Sequence, residues 1–211
     1  MEIVHLGHAC VVLDTGSARI LVDPGAFSSG YQTLEGLDAV LVTHQHLDHL
    51  DLERIGPLMA QNPGAELVVD PGTSPALRDA GVEHTVREPG ETFTVAGSSI
   101  EVVGGDHAVI HPDIPGIGNN GYLVDGTLFH PGDAFVAPPR PVDVLLLPTA
   151  APWLKASEAV DYLREVAPPL AVPIHEALLA KPEIFYGLFQ TLAPEGTEVR
   201  IAPQGQAFTP G

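Results

Sequence analysis

The sequence is poor in cysteine and in positive charge, and both shortages exclude classes of function. Its single cysteine, Cys10, permits no internal disulfide and no cluster of thiolate metal ligands. Lys and Arg together number 9, against 27 Asp and Glu, and the formal net charge is −18. Binding to nucleic acid depends on neutralising phosphates with basic side chains, so we expect no nucleic-acid partner. An anionic membrane surface is disfavoured too, whereas a small anionic substrate remains compatible with a site that holds divalent cations.

Long apolar runs are also missing. No stretch approaches the ~18 consecutive apolar residues of a membrane-spanning helix, and no basic segment followed by an apolar run is visible near Met1. We therefore expect a soluble, cytoplasmic protein. A hydrophobic content of 45% with 17% charged residues is typical of a folded globular chain. Because no low-complexity linker divides the sequence, we predict one domain over residues 1–211.

Short apolar runs between turn residues indicate two halves of similar plan, each with antiparallel strands first and alternating strands and helices afterwards. The predicted strands are 2–6, 9–14, 19–22, 38–42, 67–69, 92–96, 99–103, 121–124, 127–130, 142–147 and 171–174. The predicted helices are 52–60 with Asp51 as its cap, 74–79 with Ser74 as its cap, one capped by Ser157, and one that begins at Pro182. This order predicts an α+β protein in which two mixed β-sheets pack face to face with helices on the outer faces, an αββα sandwich.

A dense set of metal-ligand side chains follows the predicted strand at 38–42. The segment Thr43–Asp51 contains His44, His46, Asp48 and His49. Polar residues at the end of a buried strand are typical of functional loops on a rigid scaffold, and a solvated polar loop explains this density poorly. The first two histidines point to the same side if the turn starts extended, whereas the last two ligands follow the bend. One metal ion cannot comfortably use all four, but two adjacent ions can.

Three more ligand-type residues follow other predicted strands. They are His107, Asp133 and His175. Strand ends at one edge of a sandwich converge, so all seven side chains can meet in one place. Five imidazoles and two carboxylates suit two first-row divalent ions that keep open positions for water.

The combined pattern resembles the metallo-β-lactamase superfamily, whose motif is His-x-His-x-Asp-His followed by a distant His, a distant Asp and a final His. The resemblance covers essentially the whole chain, and it implies the αββα fold. The ligands that it implies are His44, His46 and His107 for one ion, Asp48, His49 and His175 for the other, and Asp133 as a bridge. It also implies that Asp23, after the third strand, supports a ligand histidine from behind.

Three shorter segments resemble the branch of the superfamily that contains L-ascorbate-6-phosphate lactonase and many uncharacterised hydrolases. They are Leu6-Gly7-His8, His130-Pro131-Gly132-Asp133 and Val172-Pro173-Ile174-His175.

The resemblance implies hydrolysis by a hydroxide held between two ions roughly 3.5–4 Å apart, with Asp48 as the residue that orients it and relays a proton. We expect zinc, with manganese or iron as alternatives. The substrate would be a small molecule with an ester, lactone, amide or phosphodiester bond. Two alternatives stay open. One is a mononuclear iron site for oxygen chemistry, as in the persulfide dioxygenases of the family, and the other is a metal-binding module without catalysis.

Four further residues are candidates for contact with the substrate: His8, Asn119, Trp153 and Lys155. Each lies in a turn or loop beside a predicted strand, and Lys155 attracts notice because cations are scarce in this chain. Each also has a structural alternative, such as a turn residue, a half-buried tryptophan or a solvated lysine. The roles of His111 and His130 are left open, with packing beside Asp133 favoured for His130.

Overall fold

The computed structural model describes all 211 residues and contains two seven-stranded β-sheets. The first sheet comprises β1 (Glu2–His5), β2 (Val11–Asp14), β3 (Arg19–Val22), β4 (Ala39–Leu41), β5 (Glu66–Val69), β6 (Thr85–Val86) and, beside β1, β14 (Ala207–Phe208). The second comprises β7 (Thr92–Val95), β8 (Ser98–Asp106), β9 (Gly118–Val124), β10 (Leu128–His130), β11 (Val144–Pro148), β12 (Leu170–Ile174) and β13 (Glu198–Val199). The helices are α1 (Leu52–Gln61), α2 (Ser74–Asp79), α3 (Ala156–Val166) and α4 (Glu183–Leu192).

Both sheets change from antiparallel to parallel pairing in the middle. Strands β1, β2 and β3 form an antiparallel meander, and β3 through β6 are parallel. The second sheet repeats this plan, with β7 through β10 antiparallel and β10 through β13 parallel. Parallel neighbours need a crossover, which α1 supplies between β4 and β5 and α3 supplies between β11 and β12. The predicted repetition of plan in the two halves is confirmed.

Three apolar clusters hold the layers together. The central one contains 23 buried residues from the facing sides of the two sheets. A second cluster of 14 lies between the first sheet and α1 and α2, and a third of 12 lies between the second sheet and α3 and α4. Strand β4 contributes side chains to the clusters on both faces of the first sheet. Leu41 points into the central cluster, and Val40 points into the cluster beneath α1 and α2. The predicted αββα sandwich of mixed sheets is therefore confirmed. None of the four helices is both long and apolar enough to cross a membrane.

Local signals in the sequence located one helix cap correctly and two incorrectly. Asp51 caps α1, and its side chain accepts the Glu53 N–H at 3.0 Å. Ser74 does not cap α2 but is its first residue, because its Oγ is engaged by His84, 2.8 Å away.

The start of α3 also differs from the prediction. Ser157 lies inside the helix, and Lys155 is the cap. The Glu158 carboxylate accepts the backbone N–H of Lys155 at 3.3 Å, which places the cap two residues earlier than Ser157. The three two-residue strands β6, β13 and β14 were not predicted, because two residues are too few to show an alternation of apolar and polar side chains.

The loop after β3 packs directly beneath the histidine-rich turn Thr43–Asp51. Ala26 donates its N–H to the Leu47 carbonyl at 2.8 Å, and Asp51 donates its N–H to the Pro24 carbonyl at 3.1 Å. Gly25 lies between these bonds, where a Cβ would stand 1.8 Å from the Asp48 carbonyl oxygen. Only a residue without a side chain allows the two backbone segments to approach this closely.

We predict that Gly25→Ala forces the turn away from the loop after β3 and destabilises the protein by about 1–3 kcal/mol, the usual cost of overpacking. Gly187→Ala is the matched control, because Gly187 lies inside α4, where a Cβ would meet no atom within 4 Å, and this variant should gain ~0.5–1 kcal/mol. Urea denaturation of both variants gives the measurement. Equal stability of Gly25→Ala and the unsubstituted protein would contradict the prediction.

Candidate metal centre

All seven predicted ligands meet at one edge of the sandwich. Their ligand atoms fall into two groups, and within each group these atoms lie within 4.8 Å of one another. The first group is His44, His46, His107 and Asp133, and the second is His8, Asp48, His49 and His175. The division resembles the one that the similarity to the superfamily implied, except that His8 joins the second group and that Asp133, the implied bridge, falls in the first.

In the first group, ring nitrogens face one another at short range. Nε2 of His44 lies 3.0 Å from Nδ1 of His46, and the His107 ring centre is 4.8 Å from the centres of both rings. Nδ1 of His107 lies 2.6 Å from the Ala108 carbonyl oxygen, which can only accept a hydrogen bond. This nitrogen therefore carries the proton, and Nε2 presents its lone pair toward the centre of the group.

The histidines of the second group are oriented in the same way, by a hydrogen bond from Nδ1 to an oxygen acceptor. Nδ1 of His175 donates to the Ala150 carbonyl at 2.7 Å, and Nδ1 of His49 donates to the Asp23 carboxylate at 2.7 Å. Both Nε2 atoms then point inward, toward Oδ2 of Asp48, at 3.5 Å from His175 and 4.0 Å from His49. Histidine ligands of metals usually have the far ring nitrogen bound to an oxygen acceptor in this way.

Four of the inward-facing atoms are buried and make no hydrogen bond. They are Nε2 of His49, His107 and His175, and Oδ1 of Asp133. The nitrogens lie 3.1–3.3 Å from Asp133 oxygens, but at angles that do not form hydrogen bonds. Buried polar atoms without partners are rare, and here their lone pairs converge on common points. Imidazole nitrogen and carboxylate oxygen are ligands that divalent first-row metals accept, so the residues fit such ions.

Asp133 lies between the two groups. Its Oδ1 faces Nε2 of His49 at 3.2 Å and of His175 at 3.1 Å, whereas its Oδ2 faces Nε2 of His107 at 3.3 Å. The indole N–H of Trp153 donates to Oδ2 at 2.9 Å and fixes the rotation of the carboxylate. One carboxylate thus reaches both groups with different oxygens.

Asp23 supports the turn from beneath. It is fully buried and accepts three hydrogen bonds, from the Thr43 backbone N–H at 2.8 Å, the Thr43 hydroxyl at 2.8 Å and the His49 ring at 2.7 Å. Because the Thr43 hydroxyl proton goes to Asp23, its oxygen accepts from Nδ1 of His44 at 3.0 Å. One carboxylate therefore orients a histidine of each group. Thr43 was not predicted, although its position directly before the motif was a signal.

Burial and charge act in opposite directions on the ionisable groups. Burial lowers the pKa of His44 and of His46, which keeps both rings neutral. For His49, burial is outweighed by the Asp133 and Asp23 carboxylates, which raise its pKa well above the usual range, so a metal ion would have to displace a proton from Nε2. For Asp133, burial is outweighed by the nearby rings of His49, His107 and His175, which hold its pKa well below the usual range. The carboxylate is thus ionised, as metal binding requires.

Asp48 is the partly exposed carboxylate of the centre. Burial is outweighed by the hydrogen bond with His8 and by the charge of His49, and together these lower its pKa to about 2. The Asp48 side chain keeps about a fifth of its surface open to solvent, while His49 beside it is closed off. Asp48 is therefore ionised and accessible from outside.

The four candidates for substrate contact have different environments. Trp153 lines the opening above the ligands. Asn119 is fully buried, with its oxygen bound to the Asp133 N–H at 2.9 Å and its nitrogen to the Pro131 carbonyl at 2.9 Å, so it holds the Asp133 loop. Lys155 is exposed, pairs with Glu158 at 3.4 Å and does not line the opening.

His8 is fully buried beneath the opening, with its Nε2 3.0 Å from Oδ2 of Asp48. Burial lowers the pKa of His8, which keeps this ring neutral. His130 is also buried, binds the Ala9 carbonyl at 2.9 Å and packs beside the Asp133 loop, as favoured above. His111 is exposed on the loop between β8 and β9.

Above the ligands, a cavity of about 290 Å³ opens to solvent. Its walls are mainly apolar and include Phe27, Ile110, Pro152, Trp153 and Leu178. No Lys or Arg lines it. Phe27, Ile110 and Leu178 were not predicted, because an apolar side chain in a loop carries no chemical signature in the sequence.

Comparison with known proteins shows the family and the fold of this chain. The family model of the beta-lactamase superfamily domain matches residues 2–175. Protein Rv0786c of Mycobacterium tuberculosis is 45% identical over 99% of this chain and 100% of its own length. A UPF0173 metal-dependent hydrolase of Pyrococcus furiosus is 30% identical over 99% of each chain. A metallo-β-lactamase fold protein of Bacillus subtilis, 16% identical, shares the fold with a TM-score of 0.74 over 98% of each chain. Because the family model covers most of its length, this chain belongs to the β-lactamase superfamily and has the metallo-β-lactamase fold.

Proposed function

We propose that the protein is a hydrolase that holds two divalent metal ions, one in each ligand group, and cleaves an ester, lactone, amide or phosphodiester bond of a small molecule. The observation that carries this proposal is the set of buried, unpaired ligand atoms on His49, His107, His175 and Asp133. Relatives described as metal-dependent hydrolases support the reaction class.

In this proposal His44, His46 and His107 hold one ion, Asp48, His49 and His175 hold the other, and Asp133 binds both. Zinc is the expected metal, because imidazole and carboxylate ligands suit it, and manganese or iron are the alternatives. The chemistry that bound ions would supply at these residues is a lowered pKa of water near neutral pH and polarisation of the oxygen of the scissile bond.

A single ion explains the structure less well than two. One ion in the first group would leave the inward-facing nitrogens of His49 and His175 without partners, and one ion in the second group would leave His107 unpaired. Buried polar atoms without partners cost ~1–3 kcal/mol each. This cost disfavours a mononuclear iron site.

Within the site, the chain positions the reactants and handles the proton. Asp48 is ionised, and its carboxylate lines the opening, so it orients the attacking nucleophile and accepts its proton. It can then return the proton to the leaving group. Phe27 and Trp153 wall the opening and restrict bulk water.

Metal analysis and a substrate panel test the proposal. Protein purified without added metal is expected to contain about two ions per chain, and His44→Ala and His175→Ala about one each. Hydrolysis of the best compound in a panel of p-nitrophenyl esters, lactones and bis(p-nitrophenyl) phosphate should fall by ~10²-fold or more in these variants and in Asp48→Ala.

Gln45→Ala is the matched control, because Gln45 lies in the same turn but points to solvent. It should keep both ions and full activity. One iron per chain with oxygen uptake would replace the proposal with the oxygenase alternative. Two bound ions without turnover of any compound in the panel would favour the inert module.

A further inference from the structure

We propose that the loop between β8 and β9 forms a subsite for an aliphatic part of the substrate, so that the preferred substrate is an uncharged ester or lactone with an apolar chain. This inference rests on the proposed hydrolase function and names the substrate class. It comes from a second cavity that adjoins the opening described above.

The second cavity has a volume of about 370 Å³ and is walled by the loop itself. Its apolar lining comprises Val109, Ile110, Pro112, Ile114, Pro115 and Ile117. His46, His107 and Ile110 line both this cavity and the opening above the ligands, so the two are adjacent. A volume of this size lies within the usual range of ~300–1,000 Å³ for small-molecule sites.

The loop is anchored to the metal centre at its base. His107 donates its backbone N–H to the Ile117 carbonyl at 3.0 Å, and Ala108 donates its N–H to the Asp133 carbonyl at 2.8 Å. The side chains of the loop are nevertheless turned partly to water, since Val109 is 74% exposed and Ile114 is 51% exposed. Large aliphatic side chains at the rim of a polar centre mark a surface that an apolar ligand can cover.

The charges near the two cavities favour a neutral ligand. Neither cavity is lined by Lys or Arg, and the carboxylates of Asp48 and Asp133 lie at the base of the opening. Lys155, the cation expected to bind an anionic group, is paired with Glu158 outside the opening. A phosphorylated substrate would find positive charge only at the metal ions, whereas an alkyl chain finds a complementary wall.

The chain-length dependence of ester hydrolysis tests the subsite. With zinc-loaded protein, kcat/KM for p-nitrophenyl acetate, butyrate, hexanoate and octanoate should rise with length, by up to about fourfold per buried methylene, until the cavity is full. Ile114→Asn should flatten this rise, because it lowers kcat/KM for octanoate much more than kcat/KM for acetate. Ile184→Asn is the matched control, because Ile184 is 69% exposed on α4 and lines neither cavity.

A binding measurement without turnover separates failure of the subsite from failure of the hydrolase proposal. Trp153 is the only tryptophan and lines the opening, so 1-decanol should change its fluorescence and Ile114→Asn should weaken that binding. Acetate hydrolysis without any chain-length effect or decanol binding would overturn the subsite alone. Decanol binding without hydrolysis of any compound in the panel of esters, lactones and bis(p-nitrophenyl) phosphate would overturn the hydrolase proposal and leave the subsite standing.

A different observation concerns His8, and from it we infer that this residue positions Asp48 and does not bind metal. The backbone N–H of Ala177 donates to Nδ1 of His8 at 3.3 Å. A neutral ring that accepts at Nδ1 carries its proton on Nε2. Nε2 therefore donates to Oδ2 of Asp48 at 3.0 Å and has no lone pair for an ion. The ligand rings of His49, His107 and His175 show the opposite arrangement.

The backbone of His8 is held as firmly as its ring. Its φ of 52° lies in the left-handed region, which non-glycine residues adopt at a cost. Its N–H donates to the Glu176 carboxylate at 3.0 Å, and its carbonyl accepts from the His175 N–H at 2.8 Å. Every polar group of His8 is thus bound to the two loops that carry Asp48 and His175.

Substitutions at position 8 distinguish positioning from metal binding. His8→Gln can place an N–H donor near the former Nε2 and should keep two ions per chain, whereas His8→Leu should weaken binding of one ion by ~10–100-fold. Loss of an ion to the same extent in both variants would show that His8 is a ligand.

Nitrogen-15 NMR of the unsubstituted, metal-loaded protein gives a second readout that does not depend on the folding of a variant. A proton on Nε2 of His8 is expected. A metal-bound Nε2 with the proton on Nδ1 would overturn the inference.

Discussion

The buried carboxylate of Asp23 is the contact on which the metal centre depends. It lies at the end of β3, in the left-handed region with a φ of 51°, and accepts three hydrogen bonds in the interior. Through Thr43 it sets the ring of His44, and directly it sets the ring of His49. Without this acceptor, the proton on each ring would be free to move to the nitrogen that faces the centre, and the inward lone pairs would be lost.

Close backbone packing holds the other loops of the metal centre in place. The loop after β3 supports the turn through Gly25, and the loop after β10 approaches equally closely at Gly132, where a Cβ would lie 2.2 Å from the Asn119 side chain. Asn119 in turn binds the Asp133 backbone, and Trp153 binds its carboxylate. Ligands from four separate loops therefore share one rigid set of supports, which is what a site with fixed metal geometry requires.

The surroundings of the centre explain how a strongly acidic protein accommodates a reactive site. Its nine basic side chains are all absent from the lining of the opening. In the proposed function, recognition of the substrate therefore falls to the apolar walls formed by Phe27, Ile110 and Leu178 and to the metal centre itself. The shape of these apolar walls would then orient the substrate. Polar chemistry would be confined to the metal-ligand side chains at the base of the opening.

The sequence by itself determined the fold and the identity of the ligand-type residues that meet. Strand periodicity and the order of elements specify the sandwich, because alternation of apolar residues decides which faces are buried. The turn Thr43–Asp51 indicates a metal site because its four ligand-type residues are close together in the chain. The placement of Asp133 and His175 beside it also followed, since both come directly after strands that end at the same edge.

Only the tertiary structure decided the roles of individual side chains around the metal centre. His8 is bound by Glu176 and Ala177, about 168 residues away, and no local pattern predicts such a contact. Likewise, Asn119 binds the Asp133 backbone, and the cavity of the loop after β8 is completed by His46 from the histidine-rich turn. Hydrogen-bond direction and cavity shape arise from groups that are distant in sequence and adjacent in space, so they exist only once the chain has folded.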